Sequence, residues 1–241
     1  KLKTSILSRE IDSRPGQKLD DKRLERDRKK IDGLGVFSEV QSEVTEEGDS
    51  VDIVFNLTEI WTLTPLLSVG KTDDSFDWMV GAHERDLAGY LCNVRGLYRR
   101  FEGENSYVLD VILPRTLRRD VLVGFSAAYE GEKDLIIIDG VETTYRYLNR
   151  FIAADFGFRA SEKIYPSLFF GYSRENWRLV SPADPPAHAR RELDYPRYLL
   201  GAALSLGRIY SDHFYFEGVQ LTSGTTLIRE LPGSRFDKWR L

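Results

Sequence analysis

The feature that most constrains this fold is the run after residue 60, where one alternating strand pattern follows another and no helical period is found. The alternation is clearest in SYVLDVIL and DVLVGFSAAYE, in which every second residue is apolar or aromatic. Such residues share one face of a strand, because successive side chains point to opposite faces of a sheet. Six of them are expected to face outward into lipid or detergent: Tyr107, Leu109, Val111, Val121, Val123 and Phe125.

The predicted strands are long, nearer ten residues than the five or six that are usual in soluble sheets. Polar faces carry Arg, Asp and Glu, and aromatic residues gather near the strand ends, as in a transmembrane barrel with a wet interior. A soluble β-sandwich remains the alternative. The ten candidate strands are residues 61–71, 75–84, 89–102, 105–114, 120–131, 134–148, 151–160, 164–178, 197–210 and 212–228.

A different pattern occupies the first sixty residues, which read as a small α+β module. Helices are predicted at residues 4–13 and 20–32, with Asp20 as the N-cap of the second helix and Gly33 as its stop. A β-hairpin is predicted from residues 36–45 and 50–59, because alternating apolar residues flank the turn EEGD. The predicted order is therefore helix, helix, strand, strand.

The wording REI…PGQKLD…LERDRKKIDGLGVFSEV…VDIVFNLTE resembles a POTRA domain of the BamA-type outer-membrane assembly family. The most recognisable phrase of that family follows the second helix, and here it consists of Leu34, Gly35, Val36, Phe37 and Val40. The resemblance implies a periplasmic POTRA-like domain at residues 1–59. The family's first strand should precede Thr4, where only three residues stand, so we expect either a fragment or a strand supplied from elsewhere.

The junction TEIWTLTPLLSVG extends the resemblance, because the family runs from its last POTRA strand through a Glu, an aromatic residue and a proline into the barrel. Glu59, Trp61 and Pro65 stand in these places. Asp86, Leu87 and Gly89 match the family's turn between the second and third barrel strands. The resemblance implies that residues 60–241 are the N-terminal portion of an antiparallel outer-membrane β-barrel. Eight to ten strands are expected, as part of a sixteen-stranded barrel or as a half-barrel member.

Two backbone edges are the implied client-binding sites. An extended polypeptide can add to an exposed strand edge by β-augmentation, with little demand on its sequence. Pro65 has no N–H to donate, which suits a weak seam between the first and last barrel strands, although a plain strand-start proline is an equally open interpretation. The POTRA edge strand is Phe37, Ser38, Glu39, Val40, Gln41 and Ser42, and the barrel-seam strand is Trp61, Leu63, Pro65, Leu67 and Val69.

The sequence shows no catalytic, metal or cofactor motif, and we expect neither an enzyme nor a cofactor. The histidines His83, His188 and His213 have no second ligand at a spacing typical of metal sites. His213 beside Ser211 and Asp212 is the one local candidate for a barrel enzyme that acts on lipid, but a turn at a strand start explains it better. Lys and Arg number 34 against 38 Asp and Glu, which argues against nucleic acid as a partner.

The resemblance implies an outer-membrane protein assembly and insertion factor that engages client polypeptides at both edges. A two-partner-secretion-type translocation pore is the alternative within the family, and a lipid-modifying barrel enzyme or a structural membrane anchor lies outside it. The implied partners are unfolded outer-membrane protein clients, periplasmic lipoprotein accessory subunits or a second barrel half, and membrane lipid. The implied location is the bacterial outer membrane, with the N-terminal domain in the periplasm and SPADPPAHARRELDYP, residues 181–196, as an extracellular loop.

Overall fold

The computed structural model describes residues 1–48, 50–71, 75–114, 121–161, 164–212 and 215–230. The first sixty residues form an N-terminal module with two helices, α1 (Thr4–Leu7) and α2 (Asp21–Asp32), and a hairpin of β1 (Phe37–Glu47) and β2 (Ser50–Glu59). The hairpin and the second helix are thus confirmed. The strands that follow are β3 (Leu63–Lys71), β4 (Phe76–Leu87), β5 (Cys92–Phe101), β6 (Glu104–Pro114), β7 (Val121–Ile138), β8 (Val141–Phe158), β9 (Ile164–Ser181), β10 (Glu192–Asp212) and β11 (Tyr215–Glu230).

The first helix is shorter than predicted, because it ends at Leu7 and not at residue 13. The backbone beyond it turns toward Asp27, whose carboxylate accepts hydrogen bonds from the amides of Asp12 at 2.8 Å and Ser13 at 2.9 Å. The Ser13 hydroxyl donates to the same carboxylate at 2.7 Å. Asp27 is fully buried. A buried carboxylate on α2 therefore satisfies backbone donors that would otherwise continue α1.

The core of the N-terminal module lies between the helices and the hairpin. Ile6 and Ile31 supply the helical side, and Val36, Phe37 and Val40 supply the strand side. The register between β1 and β2 shifts between Phe37 and Glu39, as in a β-bulge. The N-cap of α2 is Asp20, as predicted, and its side chain accepts from the amides of Lys22 and Arg23.

All nine strands from β3 to β11 lie in one antiparallel sheet in sequence order. Within the described residues no second sheet packs on this one, so the β-sandwich alternative is wrong. We call the side that carries Tyr107, Leu109 and Phe125 the apolar face; these side chains are exposed, as predicted. Ile152 and Phe156 of β8 extend the same face.

One of the ten predicted strands does not exist as a separate element. Residues 120–131, 134–148 and 151–160 are predicted as three strands, but they form only β7 and β8. The chain reverses at Asp139–Gly140, where both residues have positive φ, 51° and 78°. This conformation is that of a two-residue type I′ hairpin turn, which Asp-Gly strongly favours. The same dipeptide in the sequence is the signal that the strand assignment missed.

The predicted extracellular loop is also shorter than expected, because β10 begins at Glu192. It lies at the same end of the sheet as the tight turns at residues 102–103 and 139–140, opposite the turn at residues 88–91. We call the end of the sheet that carries the loop and the first two turns the distal end, and the end that carries the turn at residues 88–91 the module end. The Asp139 carboxylate lies 2.8 Å from Nδ1 of His188 in the loop. The loop therefore lies against the turn between β7 and β8.

The opposite, polar face of the sheet carries hydrogen-bonded side chains. Asn149 donates to the Glu130 carboxylate at 3.2 Å and accepts from the Ser173 hydroxyl at 3.0 Å. The Arg95 guanidinium donates to the Asp110 carboxylate at 2.9 Å. One apolar face and one hydrogen-bonded polar face match the lipid-facing outside and wet inside of a transmembrane barrel.

A row of aromatic rings crosses the apolar face near the distal end. Ring centroids are separated by 4.8 Å between Trp78 and Tyr98, 5.0 Å between Tyr98 and Tyr107, and 6.2 Å between Tyr107 and Tyr129. Trp and Tyr concentrate at the boundary between hydrocarbon and headgroups, where one end of the ring is apolar and the other is wet. The row therefore has the composition of the aromatic girdle that transmembrane barrels carry at a membrane boundary.

The two helices of the described chain are short, and neither is long or apolar enough to cross a membrane.

Candidate functional site

The first strand of the sheet, β3, is an edge strand in the part of the chain that the structure describes. It pairs along one side with β4, from Leu63 opposite Glu84 to Lys71 opposite Phe76. No other strand of the described residues pairs along its second side. The backbone groups on that side are therefore available to another strand.

The direction of these backbone groups follows from a hydrogen bond at the start of the strand. The amide of Arg85 donates to the carbonyl of Thr62 at 3.4 Å, in the register that places Leu63 opposite Glu84. Hydrogen-bonded and non-hydrogen-bonded pairs alternate along an antiparallel ladder. Counting from Thr62, the residues bonded to β4 are even-numbered. The backbone groups of Leu63, Pro65, Leu67 and Val69 therefore point away from β4, toward the free edge.

Pro65 lies at one of these edge-directed positions. It stands opposite Ala82, and its nitrogen is on the side turned away from β4. This placement explains why a proline is tolerated inside the strand, since no bond to β4 is lost. It also removes one donor from the middle of the free edge. Any strand that pairs here finds donors at Leu63, Leu67 and Val69 but none between Leu63 and Leu67.

The side chains of the predicted seam residues share the apolar face of the sheet. Leu67 is 73% exposed, Val69 is 70% exposed and Leu63 is 39% exposed. Trp61, which precedes the strand, is 79% exposed. The structure therefore brings four of the predicted seam residues, Leu63, Pro65, Leu67 and Val69, to one edge and one face, and Trp61 lies exposed just before them.

The turn between β4 and β5 joins this edge to the N-terminal module. Its backbone is left-handed at Ala88, Gly89 and Leu91, and the Leu91 amide donates to the Asp86 carboxylate at 2.7 Å. The amide of Lys3 donates to the Gly89 carbonyl at 3.0 Å, and its ammonium lies 3.5 Å from the centre of the Tyr90 ring. The turn is thus bonded to the first residues of the chain.

Leu91, at the end of this turn, is part of the core of the N-terminal module. It is buried in the same cluster as Ile6, Ile31 and Phe37. Within the module, the amide of Leu2 donates to the Glu59 carboxylate at 2.9 Å, which fixes the start of the chain near the junction. Sequence reasoning matched this turn to a family motif but missed the role of Leu91, because a single leucine after a turn carries no signal of where it packs.

The second predicted edge is β1, which pairs with β2 alone in the described part of the chain. Ser38, Glu39 and Gln41 are exposed, and Ser42 is half-buried. The side chains of Phe37 and Val40 are buried in the module core, so only their backbone groups remain for a partner strand. The edge therefore presents polar side chains around its backbone donors and acceptors.

The other candidates from the sequence are the histidines, together with any metal-binding group within the residues that the structure describes. No group of three His, Cys, Asp or Glu residues is arranged to hold a metal ion there. His83 lies on the polar face, with Nε2 2.5 Å from the Asn93 amide oxygen. His213, the candidate beside Ser211 and Asp212, lies outside the described residues.

Comparison with protein families gives a match at the N-terminal module. Residues 1–60 match the POTRA family model, described as a surface antigen variable number repeat. A search of the curated proteins finds no match.

Among solved structures, the chain is similar to BamA from Haemophilus ducreyi lacking POTRA domains 1–3. The TM-score is 0.64 at 16% identity, over 97% of this chain and 46% of that one. It is also similar to CdiB from Escherichia coli, with a TM-score of 0.52 at 13% identity, over 99% of this chain and 45% of that one. The chain thus spans about half the length of the structures that it matches.

The chain thus combines a POTRA module at residues 1–60 with a long antiparallel sheet, and its fold is similar to that of BamA. The fold expected from the sequence, an α+β POTRA module followed by a β-barrel portion, is confirmed.

Proposed function

We propose that this chain is the part of an outer-membrane protein assembly and insertion factor that contains one POTRA module and the barrel seam. Residues 1–59 are the periplasmic domain, and residues 60–241 belong to the barrel. Client polypeptides add as strands to the free edge of β3 and to β1 of the module. The fold similarity to BamA supports this function.

The observation that carries the proposal is the position of Pro65. A strand that crosses a membrane must satisfy its backbone donors and acceptors, because hydrocarbon offers no water. The free edge of β3 offers both, which favours capture of an incoming strand. The missing donor at Pro65 weakens the pairing that closes this edge, whichever strand supplies it. An edge that pairs, but weakly, allows a client to enter and then to leave.

The attachment of the POTRA module to the turn at residues 88–91 supports the same function. Leu91 and the bond from Lys3 to Gly89 connect the module to the turn that joins β4 to β5, and β4 is the partner of β3. A client strand held on β1 of the module would therefore lie on a body attached to the second strand from the seam. This attachment would give a client strand a short route from β1 of the module to the free edge of β3.

A proline series tests the proposal in the full-length protein that carries this chain. Leu67→Pro removes an edge-directed donor and spares the bonds to β4, so we expect insertion of clients into vesicles to slow about 2- to 10-fold. Pro65→Ala adds a donor, so we expect tighter seam pairing and fewer open edges. Leu66→Pro is the matched control, because it breaks a bond to β4 and destabilises the sheet itself.

Unchanged insertion by a folded Leu67→Pro variant would contradict the proposal. Export of a single dedicated partner, with no insertion of other barrel proteins, would instead favour the secretion pore.

A further inference from the structure

Four arginines form a cluster on the apolar face, just beyond the aromatic row at the distal end. They stand on two neighbouring strands, with Arg150 opposite Arg174 and Arg146 opposite Arg178. Arg150 also stands opposite Tyr129, the last ring of the aromatic row. On the module side of Arg150, the same face of β8 continues with the exposed side chains of Ile152 and Phe156. The cluster thus begins at the level of Tyr129 and lies on the distal side of Ile152 and Phe156.

The charges of this cluster are only partly compensated. Arg174 donates to both carboxylate oxygens of Asp194, at 3.0 and 2.7 Å, and Arg146 donates to Glu104 at 2.8 Å. Arg178 lies 3.6 Å from the Glu192 carboxylate. Arg150 is exposed and makes no hydrogen bond or salt bridge within the described part of the chain. Four cations therefore face three carboxylates.

The pairing of like charges argues for an anionic ligand. Side chains directly opposite each other in an antiparallel pair lie close together, and like charges in these positions destabilise the sheet. Two such arginine pairs occur here, at Arg150–Arg174 and Arg146–Arg178, separated on this face by the pair Leu148–Asn176. An anion between the strands would relieve the repulsion, and guanidinium groups bind phosphate oxygens in bidentate geometry.

The space between the arginines fits more than a bare ion. The cluster lines a shallow cavity of about 330 Å³, together with Leu148, Asn176 and Glu192. Leu148 lies on the apolar face between Arg146 and Arg150 and offers an apolar contact beside the charges. Basic side chains at a membrane interface attract anionic lipid headgroups. The aromatic row beside the arginine cluster matches a lipid whose charged headgroup lies at the level of the arginines.

We propose that Arg146, Arg150, Arg174 and Arg178 bind the phosphorylated headgroup of an outer-leaflet lipid. The proposal rests on the membrane placement within the proposed function, and it is independent of the seam at β3. Arg150 and Arg174 hold the phosphate, and Leu148 lies against the apolar part of the lipid. The bound lipid anchors the distal ends of β8 and β9 at the membrane boundary.

The test uses the full-length protein in neutral detergent, with dodecyl phosphate as the probe and native mass spectrometry as the readout. We expect one dodecyl phosphate to remain bound to the unaltered protein. The double variant Arg150→Gln/Arg174→Gln should bind it about tenfold more weakly or less, because two charge-assisted contacts are lost. The matched control, Arg23→Gln/Arg26→Gln on α2, carries the same change of charge and should bind as the unaltered protein does.

Two further arms distinguish the sources of phosphate and the state of the protein. Inorganic phosphate should compete only at concentrations at least a hundredfold higher, and equal competition would overturn the lipid assignment. Circular dichroism shows whether the double variant is folded. If the double variant is unfolded, the single variant Arg150→Gln replaces it, because this substitution breaks no bond within the described residues. Equal binding by a folded variant and the unaltered protein would overturn the proposal. Lipid binding without client capture at β3 would overturn the proposed function alone.

Discussion

The main-chain amide of Lys3 donates a hydrogen bond to the carbonyl oxygen of Gly89 at 3.0 Å. This bond joins the first residues of the POTRA module to the turn between the second and third strands of the sheet. The approach is close because Gly89 has no side chain: a Cβ at this position would lie 2.2 Å from the carbonyl oxygen of Lys1. The module and the sheet are therefore connected by more than the covalent chain.

The first prediction concerns that close approach. An alanine at φ +77° costs about 1–2 kcal/mol of conformational free energy. Gly89→Ala should destabilise the junction by more than this amount, because the new methyl group also displaces Lys1. We expect faster hydrogen exchange at the Lys3 amide. Gly103→Ala is the control, because Gly103 has φ +81° and a methyl group added there would meet nothing within 4 Å. Equal effects of the two substitutions on exchange at Lys3 would contradict this account of the junction.

The second prediction concerns Leu91, which the sheet contributes to the POTRA core. Leu91→Ala should cost about 2–4 kcal/mol of local stability, because it leaves a cavity among buried apolar side chains. Distances between spin labels at Glu39 and Tyr107 should then spread over a wider range. Leu87→Ala, at an exposed position in β4, serves as the control and should leave the distribution narrow. A narrow distribution in the Leu91 variant would show that this contact does not hold the module.

The third prediction concerns the buried carboxylate of Asp27. Asp27→Asn replaces one acceptor oxygen by a donor opposite the amides of Asp12 and Ser13, so we expect a loss of about 1.5–3 kcal/mol. Protease digestion should then cut faster within residues 8–19. Asp21→Asn, at an exposed position in the first turn of α2, should cost less than about 1 kcal/mol. Equal digestion rates would mean that Asp27 does not fix this segment.

Much of the fold follows from the sequence because sheet faces depend on a period of two. That period alone places Tyr107, Leu109 and Phe125 on the correct face. Strand ends are harder to predict, since β7 and β8 continue past the apolar band and lose the clean alternation there. The Asp139–Gly140 turn is nevertheless readable in the sequence. The burial of Asp27 cannot be predicted from the sequence, because it depends on where the segment with the amides of Asp12 and Ser13 lies in the folded chain.

The candidate site, like the fold, could be predicted from the sequence only in part. The proline and the family wording identify the seam residues, and the structure adds the direction of each backbone group, which the sequence does not contain. The attachment through Leu91 could not be predicted, because it depends on how two parts of the chain that are distant in sequence meet.

The most direct test of the central claim is disulfide crosslinking along β3 in the full-length protein, with a client strand that carries one cysteine on its lipid-facing side. Single cysteines are placed at positions 63 to 69 in turn. Adjacent strands align side chains of the same face, so the account predicts high yields at positions 63, 67 and 69 and low yields at positions 64, 66 and 68. Uniformly low yields, or yields without this alternation, would contradict pairing of clients with the β3 edge.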